Sequence, residues 1–332
     1  MIPVLDIDHL GVAIESGTGS SVPVLEDLSF KVNQGRTMAL VGESGCGKSM
    51  TALAIMGLLP PGFVVTGGRI LLAGEDVLAA SPKRLRALRG NAMSMIFQEP
   101  MTALNPLYTV GDQIAEVLRA HRGLGRADAT ELAIEFLRAV QIPAAEQRVN
   151  AYPHQLSGGM RQRVMIAMAL AGKPKLLIAD EPTTALDVTV QAQIFDLLAR
   201  LQQETETAIV LITHDLGAVA ELADDVAVLY AGRCIEAGPA KRVIAQPRHP
   251  YTRGLLACVP HLSLGHARSG AWVELAEIPG MVPPLGARGE DCAFLARCTN
   301  AGDICRARRQ PPLDQVETGH VVSCWRQAEI AA

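Results

Sequence analysis

Residues Gly42 to Ser49 read Gly-Glu-Ser-Gly-Cys-Gly-Lys-Ser, and no other stretch restricts the fold of this chain as tightly. The octet follows the apolar run Met38-Ala39-Leu40-Val41 and precedes the helix-forming Ala52-Leu53-Ala54-Ile55-Met56. That order predicts a strand, a glycine-rich loop and a helix, the context in which G-x-x-x-x-G-K-[ST] holds a nucleotide. Gly42, Gly45 and Gly47 lack Cβ, so the loop can curl with its N–H groups turned toward a phosphate. Glu43, Ser44 and Cys46 complete this cradle, and Met50 follows it in the first turn of the helix. The helix N-terminus adds a positive field. Lys48 is placed to reach the β- and γ-phosphates, and the Ser49 hydroxyl to ligate Mg²⁺. Taken alone, the octet also suits an ordinary glycine turn with a solvated lysine.

Bulk properties narrow the class. The 332 residues leave room for one large or two smaller domains with a sizeable core. Hydrophobic residues make up 49% and charged residues 19%, the balance of a globular α/β protein on its apolar side. A net charge of −4 gives no electrostatic case for nucleic acid. Gly57, Pro60-Pro61 and Arg163 cut the longest apolar stretches below the roughly 18 residues of a membrane span. Met-Ile-Pro-Val-Leu-Asp at the start lacks the basic and apolar regions of a signal peptide, which predicts a cytosolic chain with reduced thiols.

Along the chain, residues 1 to about 36 alternate apolar and polar and predict an antiparallel β-layer, with an exposed turn at 17–21. Strands are expected again from Gly67 to Leu72 and from Met93 to Phe97, the latter ending at Gln98. From 101 to about 155 the spacing of Ile114, Val117 and Leu118, and of Leu132, Phe136, Leu137 and Val140, is helical and predicts an insertion between strands of the core. A helix from Met160 to Ala171 closes this insertion. Leu176 to Ala179 predicts a buried strand, Val190 to Gln202 a helix, Ala208 to Thr213 a strand, and Asp225 to Glu236 a hairpin. Beyond Pro247 the texture turns to Pro, Gly, Arg and Cys, marking a separate piece from about 250 to 332.

An apolar strand ending in Asp180-Glu181 is the natural companion of the phosphate loop. Asp180 can hold Mg²⁺ through water, and Glu181 can polarise a water against the γ-phosphate. A helix-capping acidic pair is the plainer reading of the same residues. His214, one strand later, can contact the γ-phosphate and orient Glu181, although a lone histidine at a strand end is more often an ordinary polar residue. Leu156-Ser157-Gly158-Gly159-Met160 makes a second anion cradle at a helix start, or simply an N-cap. One chain needs only one phosphate cradle, so the second makes sense facing the nucleotide of another chain.

The set Gly42–Ser49, Gln98, Leu156–Met160, Leu176–Glu181, Ala185-Leu186-Asp187 and His214 resembles the ATP-binding cassette (ABC) ATPases over residues 1 to about 245. The resemblance implies an α/β P-loop NTPase cassette: a RecA-like core, an antiparallel β-subdomain, and a helical subdomain over about 101–163. It implies a cassette of residues 1–249 and a smaller four-cysteine domain of 250–332. It also implies MgATP held by the loop, Ser49, Asp180 and Gln98, and hydrolysis by Glu181 with His214 and Gln98. Ser157, Gly158 and Gly159 would act on the ATP of a second cassette in a head-to-tail dimer, with Asp187 lining the interface and Gln98 coupling the site to a transmembrane partner.

Phe97-Gln98-Glu99-Pro100-Met101-Thr102-Ala103-Leu104-Asn105-Pro106, Tyr152-Pro153-His154-Gln155, Glu181 to Thr189 and Arg248-His249-Pro250-Tyr251-Thr252 are similar to the dipeptide/oligopeptide importers. That likeness implies a second ATPase subunit that is a related chain, two integral-membrane permeases, an extracytoplasmic substrate-binding protein, and a peripheral place on the cytoplasmic membrane face. Two departures stand out. Ile14 occupies the position where such ATPases carry an aromatic residue to stack on adenine, with Tyr108 and Tyr152 lying in other motifs, and Met50 replaces threonine.

Cys292, Cys298, Cys305 and Cys324 crowd the last 41 residues, while Cys46, Cys234 and Cys258 are scattered fillers. The tail is too poor in aliphatic residues to fold on its own core, which favours a staple. Disulfides are disfavoured in the cytosol, and tight zinc-type pairs are absent. A [4Fe–4S] cluster is the leading expectation, also implied by the similar tails of peptide-importer ATPases; zinc and unligated thiols remain open. Thr299 stands after Cys298 where relatives often have proline.

The chain is thus expected to be the ATPase subunit of a peptide importer. A soluble ABC ATPase working on nucleic acid or ribosomes is the rival, against which the interval between loop and signature shows no long heptad segment. A non-catalytic cassette is a third reading, opposed by the intact Glu181.

Overall fold

Residues whose sequence is apolar at every position, not at every second one, make the centre of the molecule. A computed structural model describes residues 2–15, 21–184, 186–258 and 277–330. The turn expected at 17–21 falls almost wholly outside them, as does Ala185.

The chain opens with β1 (Leu5–Glu15) and β2 (Ser21–Val32), an antiparallel pair, and crosses to β3 (Thr37–Val41). After the glycine loop come α1 (Lys48–Met56), β4 (Phe63–Leu72), β5 (Glu75–Asp76), α2 (Pro82–Leu88) and β6 (Met93–Ile96). A run of helices follows: α3 (Pro100–Ala103), α4 (Val110–Arg122), α5 (Arg126–Ala139), α6 (Ala145–Arg148) and α7 (Gly158–Ala171). The chain then returns through β7 (Leu176–Asp180), α8 (Val188–Thr205), β8 (Ala208–Ile212), α9 (Leu216–Leu222) and the hairpin β9 (Asp225–Tyr230) and β10 (Arg233–Pro239). It ends with α10 (Ala240–Ala245), α11 (Pro250–Ala257), α12 (Asp303–Ala307), β11 (Asp314–Glu317), β12 (His320–Val322) and α13 (Gln327–Ile330).

Two sheets result. Four antiparallel strands run in the order β2-β1-β4-β5, and eight run β11-β12-β10-β9-β3-β8-β7-β6. Neighbours from β9 through β3, β8 and β7 to β6 are parallel. Successive side chains in a strand point to opposite faces, so a strand covered on both sides must be apolar throughout. In β7, Leu177 and Ala179 face the core shared with the helical layer, while Leu176 and Ile178 face the core shared with the antiparallel sheet. β8 splits likewise, Ile209 and Leu211 against Val210 and Ile212.

Helices α3 to α7, from Pro100 to Ala171, form a layer packed on Ile114, Leu118, Leu137 and Val164. β4 begins at Phe63, earlier than the glycine pair suggests, because Phe63, Val64 and Val65 pair with Ile14, Ala13 and Val12. Among the described residues no helix is long and apolar enough to cross a membrane.

The C-terminal segment leans on the rest of the molecule. β12 extends the large sheet, with Val322 opposite Glu236 and Val321 opposite Ala237. Phe294 is buried against Tyr230 and Tyr251, ring centroids 5.2 and 5.4 Å away. Fully buried Glu236 accepts the N–H groups of Arg248 at 2.8 Å and His249 at 3.0 Å, and its Oε1 lies 2.8 Å from His320 Nε2.

Candidate functional site

β3 delivers the glycine loop, and α1 carries the chain away from it. Gly42 has φ 148°, and a Cβ there would stand 2.2 Å from the Leu229 carbonyl oxygen in β9. Gly47, at φ 105°, would drive a Cβ to 2.5 Å from the Leu25 side chain. Neither position accepts any other residue without moving a neighbour. Lys48 is 6% exposed, and its ammonium donates to the carbonyl oxygens of Gly42 at 2.7 Å and Glu43 at 3.0 Å. The cation is therefore held over the loop. Buried Cys46 lies 3.8 Å from it, and burial pushes that thiol up. Ser44, Gly45 and Ser49 are exposed, with Met50 half-buried beside them.

The second part of the site gathers at the C-terminal ends of β7, β6 and β8. Ser49 Oγ donates to Asp180 Oδ1 at 3.1 Å. Burial raises the Asp180 carboxyl above its ordinary range, the Ser49 bond partly opposing it. A hydroxyl beside a carboxylate is a hard-oxygen pair that suits Mg²⁺, which takes few protein ligands and completes its shell with water and phosphate.

Glu181 leaves β7 at φ 46°, a left-handed backbone that costs a non-glycine residue on the order of 1–3 kcal/mol. Its N–H donates to the Ile212 carbonyl at 2.9 Å, which holds it there. Its carboxylate accepts from Gln98 Nε2 at 3.0 Å and Thr184 Oγ1 at 2.8 Å, and His214 Nδ1 lies 3.7 Å away. Three segments far apart in sequence thus meet on one carboxylate. The sequence marks Thr184 only as part of the run after Glu181 and does not signal this bond.

The remaining candidates sit elsewhere. Ser157 is the N-cap of α7, its Oγ accepting the Met160 N–H at 3.3 Å. Ser157 and Gly158 are exposed, and Gly159 packs so close to Val190 that a Cβ would approach it to 3.0 Å. Asp187 is exposed and caps α8, Oδ1 accepting from Val190 N–H at 3.0 Å. Ile14 is half-buried in β1, in register with Val22 and Phe63.

Two C-terminal residues touch the loop. The Glu43 N–H donates to the Tyr251 hydroxyl at 2.8 Å. Arg297 grips the Glu43 carboxylate with both ends of its fork, at 2.6 and 2.9 Å. That carboxylate holds the guanidinium well above its usual pKa. Arg297 carries no sequence signal, because its partner is 254 positions away.

The cysteine expectation needs correction. Cys292, Cys298, Cys305 and Cys324 line one small cavity with Phe294, Leu295 and Trp325. Yet among the described residues no group of three or more His, Cys, Asp or Glu is placed to hold a metal ion. Burial pushes the Cys292 and Cys324 thiols up to about 11 and raises Cys298 as well. The aliphatic-poor tail solves its stability problem differently: it borrows the core around Tyr230 and Tyr251 in place of a staple. The [4Fe–4S] assignment is withdrawn.

Comparison with known proteins bears on all of this. The family model described as ABC transporter matches residues 25–184, and the model for the oligopeptide/dipeptide transporter C-terminal region matches residues 235–305. A putative peptide import ATP-binding protein of Brucella melitensis is 50% identical over 337 residues, covering 99% of each chain. The dipeptide transport ATP-binding protein of Bacillus subtilis is 48% identical, covering 100% of this chain and 97% of its own. Among solved structures, a dimeric ATP-binding cassette in a post-hydrolysis state with ADP and Pi superposes with a TM-score of 0.64 at 26% identity. That match spans 71% of this chain and 99% of the cassette. A phosphate loop and an acidic strand end joined through Ser49 and Asp180, and relatives alike from end to end, lead to one statement: the chain belongs to the ABC transporter family of ATP-binding proteins.

Proposed function

We propose that the chain is the ATP-hydrolysing subunit of an importer for dipeptides or oligopeptides. The observation that carries this reading is the connected set at the strand ends: Ser49 on Asp180, and Gln98, Thr184 and His214 around Glu181. The peptide-import descriptions of relatives about half identical over the whole chain supply the transport half.

In this reading the loop amides and Lys48 hold the phosphates. Ser49 and Asp180, with Gln98, would hold Mg²⁺, and the ion would supply positive charge against the phosphoryl oxygens. Glu181 accepts a proton as water attacks the γ-phosphorus and the bond to the β-phosphate oxygen breaks, releasing ADP and phosphate. His214 keeps the Glu181 carboxylate aimed and contacts the γ-phosphate. Ser157, Gly158 and Gly159 complete the nucleotide pocket of a second, related cassette, and Asp187 lines the face between them. The dimeric state named for the similar solved cassette supports this arrangement.

Contact with membrane-embedded permeases fits the region after Gln98. Leu107 is 80% exposed, and a cavity of about 980 Å³ lies beside it, lined by Asn105, Tyr108, Glu116, Arg119 and Met168. Such contact would place the chain peripherally on the cytoplasmic face, with a substrate-binding protein delivering peptide from the other side.

Glu181→Gln tests the chemistry. Turnover in the assembled complex should fall by about 100-fold or more, while MgATP stays bound and a stable cassette dimer appears on size exclusion. Unchanged turnover would remove Glu181 as the base.

A further inference from the structure

We propose that Arg297 and Tyr251, from the C-terminal segment, are positioning residues for the phosphate loop, acting through Glu43. The proposal rests on the ATPase reading above and adds a control over the affinity of the same site.

The geometry is that of a built clamp, not of a chance surface pair. The Arg297 side chain is 4% exposed. All five of its N–H donors have acceptors: Nε the Pro279 carbonyl at 2.8 Å, Nη1 Glu43 Oε2 at 2.6 Å and the Tyr230 hydroxyl at 3.5 Å, Nη2 Glu43 Oε1 at 2.9 Å and the Ile278 carbonyl at 3.3 Å. Its guanidinium also lies 5.7 Å from the Tyr230 ring centroid and 5.9 Å from that of Phe294. A bidentate fork in this setting fixes the carboxylate in direction as well as distance, which a lysine does not do.

Tyr251 adds an independent hold. It is fully buried and takes the Glu43 backbone N–H. Glu43 is therefore fixed by side chain and main chain at once. Its carbonyl, in turn, accepts from Lys48 Nζ at 3.0 Å and from the Cys46 N–H at 3.3 Å. The chain of contacts runs from the tail through Glu43 to the ammonium that meets the phosphates and to the backbone that cradles them. A loop held in its binding shape loses less freedom when nucleotide arrives, so releasing the clamp weakens binding.

The test uses the full-length chain and Mg²⁺ with a fluorescent ATP analogue, read beside thermal unfolding. Arg297→Ala and Glu43→Gln should each raise Kd about 10-fold, and the double variant should be no weaker than either single one. Arg297→Lys should fall between wild type and Arg297→Ala. Tyr251→Phe, which removes only a hydroxyl, should raise Kd about 3-fold with little loss of melting temperature. Arg326→Ala, which loses tail contacts to Asn300 and Glu329 but none to the loop, should lower the melting temperature and leave Kd alone. Unchanged Kd in Arg297→Ala, or single effects that multiply in the double variant, would overturn the clamp. Failure of the wild-type chain to bind the analogue at all would overturn the ATPase reading beneath it, a separate and recognisable result.

Discussion

His249 is 2% exposed and caps α11, its Nδ1 accepting the Tyr251 N–H at 3.0 Å. Burial lowers its pKa from 6.5 to about 4, with the charge of Glu236 pulling weakly the other way. A depressed value means that the unfolded chain takes up the proton first. The stability contributed by neutral His249 is therefore complete above pH 6.5 and drains away as pH falls toward 4. A shift of that size corresponds to on the order of 3 kcal/mol. His249→Asn keeps a capping acceptor and cannot titrate, so the gap in unfolding free energy between variant and wild type should change by roughly this amount between pH 7 and pH 4. Denaturant titrations at both ends of the range check it, and a constant gap refutes it. Single residues of this kind divide sharply in legibility. Lys48, Glu181 and His214 announce themselves through local pattern. Thr184 and Arg297 do not, because each is defined by a partner that only folding supplies.

Strands show the same division on a larger footing. β3, β7 and β8 read directly from the chain, since a strand covered on both faces must be apolar at every position. β12 is three residues long, His320 to Val322, and carries no such run; its place is set by the open edge of β10. That edge gives a prediction. Removing residues 314–332 uncovers β10 and takes His320 from a buried Glu236 that otherwise has three neighbours for its oxygens. Loss of one partner at a buried carboxylate costs roughly 1–3 kcal/mol, which with the lost strand pairing should lower the melting temperature by roughly 5–10 °C. An exposed edge also invites pairing with another chain. Scanning fluorimetry with light scattering should show both effects; an unshifted, monodisperse sample would mean that the sheet ends at β10.

For the molecule as a whole, the order of motifs from Gly42 to His214 made the cassette legible, while the attachment of the C-terminal segment was hidden in contacts between its aromatic and basic residues and β9 and the loop. The exposed rim at Leu107 and Tyr108, proposed above as the permease contact, belongs to this scale too. Leu107→Asp should cut peptide uptake by the complete transporter about 10-fold or more while leaving nucleotide Kd of the isolated chain unchanged. Uptake at wild-type level would move the membrane contact to another face. The reach of Arg297 back to Glu43 has a consequence in time. At roughly 5–20 residues per second, a ribosome that has just made Glu43 needs on the order of ten to fifty seconds to make the arginine 254 positions later. Throughout that interval the growing polypeptide carries an unfinished grip on its nucleotide, so a messenger cut short before Arg297 yields a product that is weak at the first task its family performs.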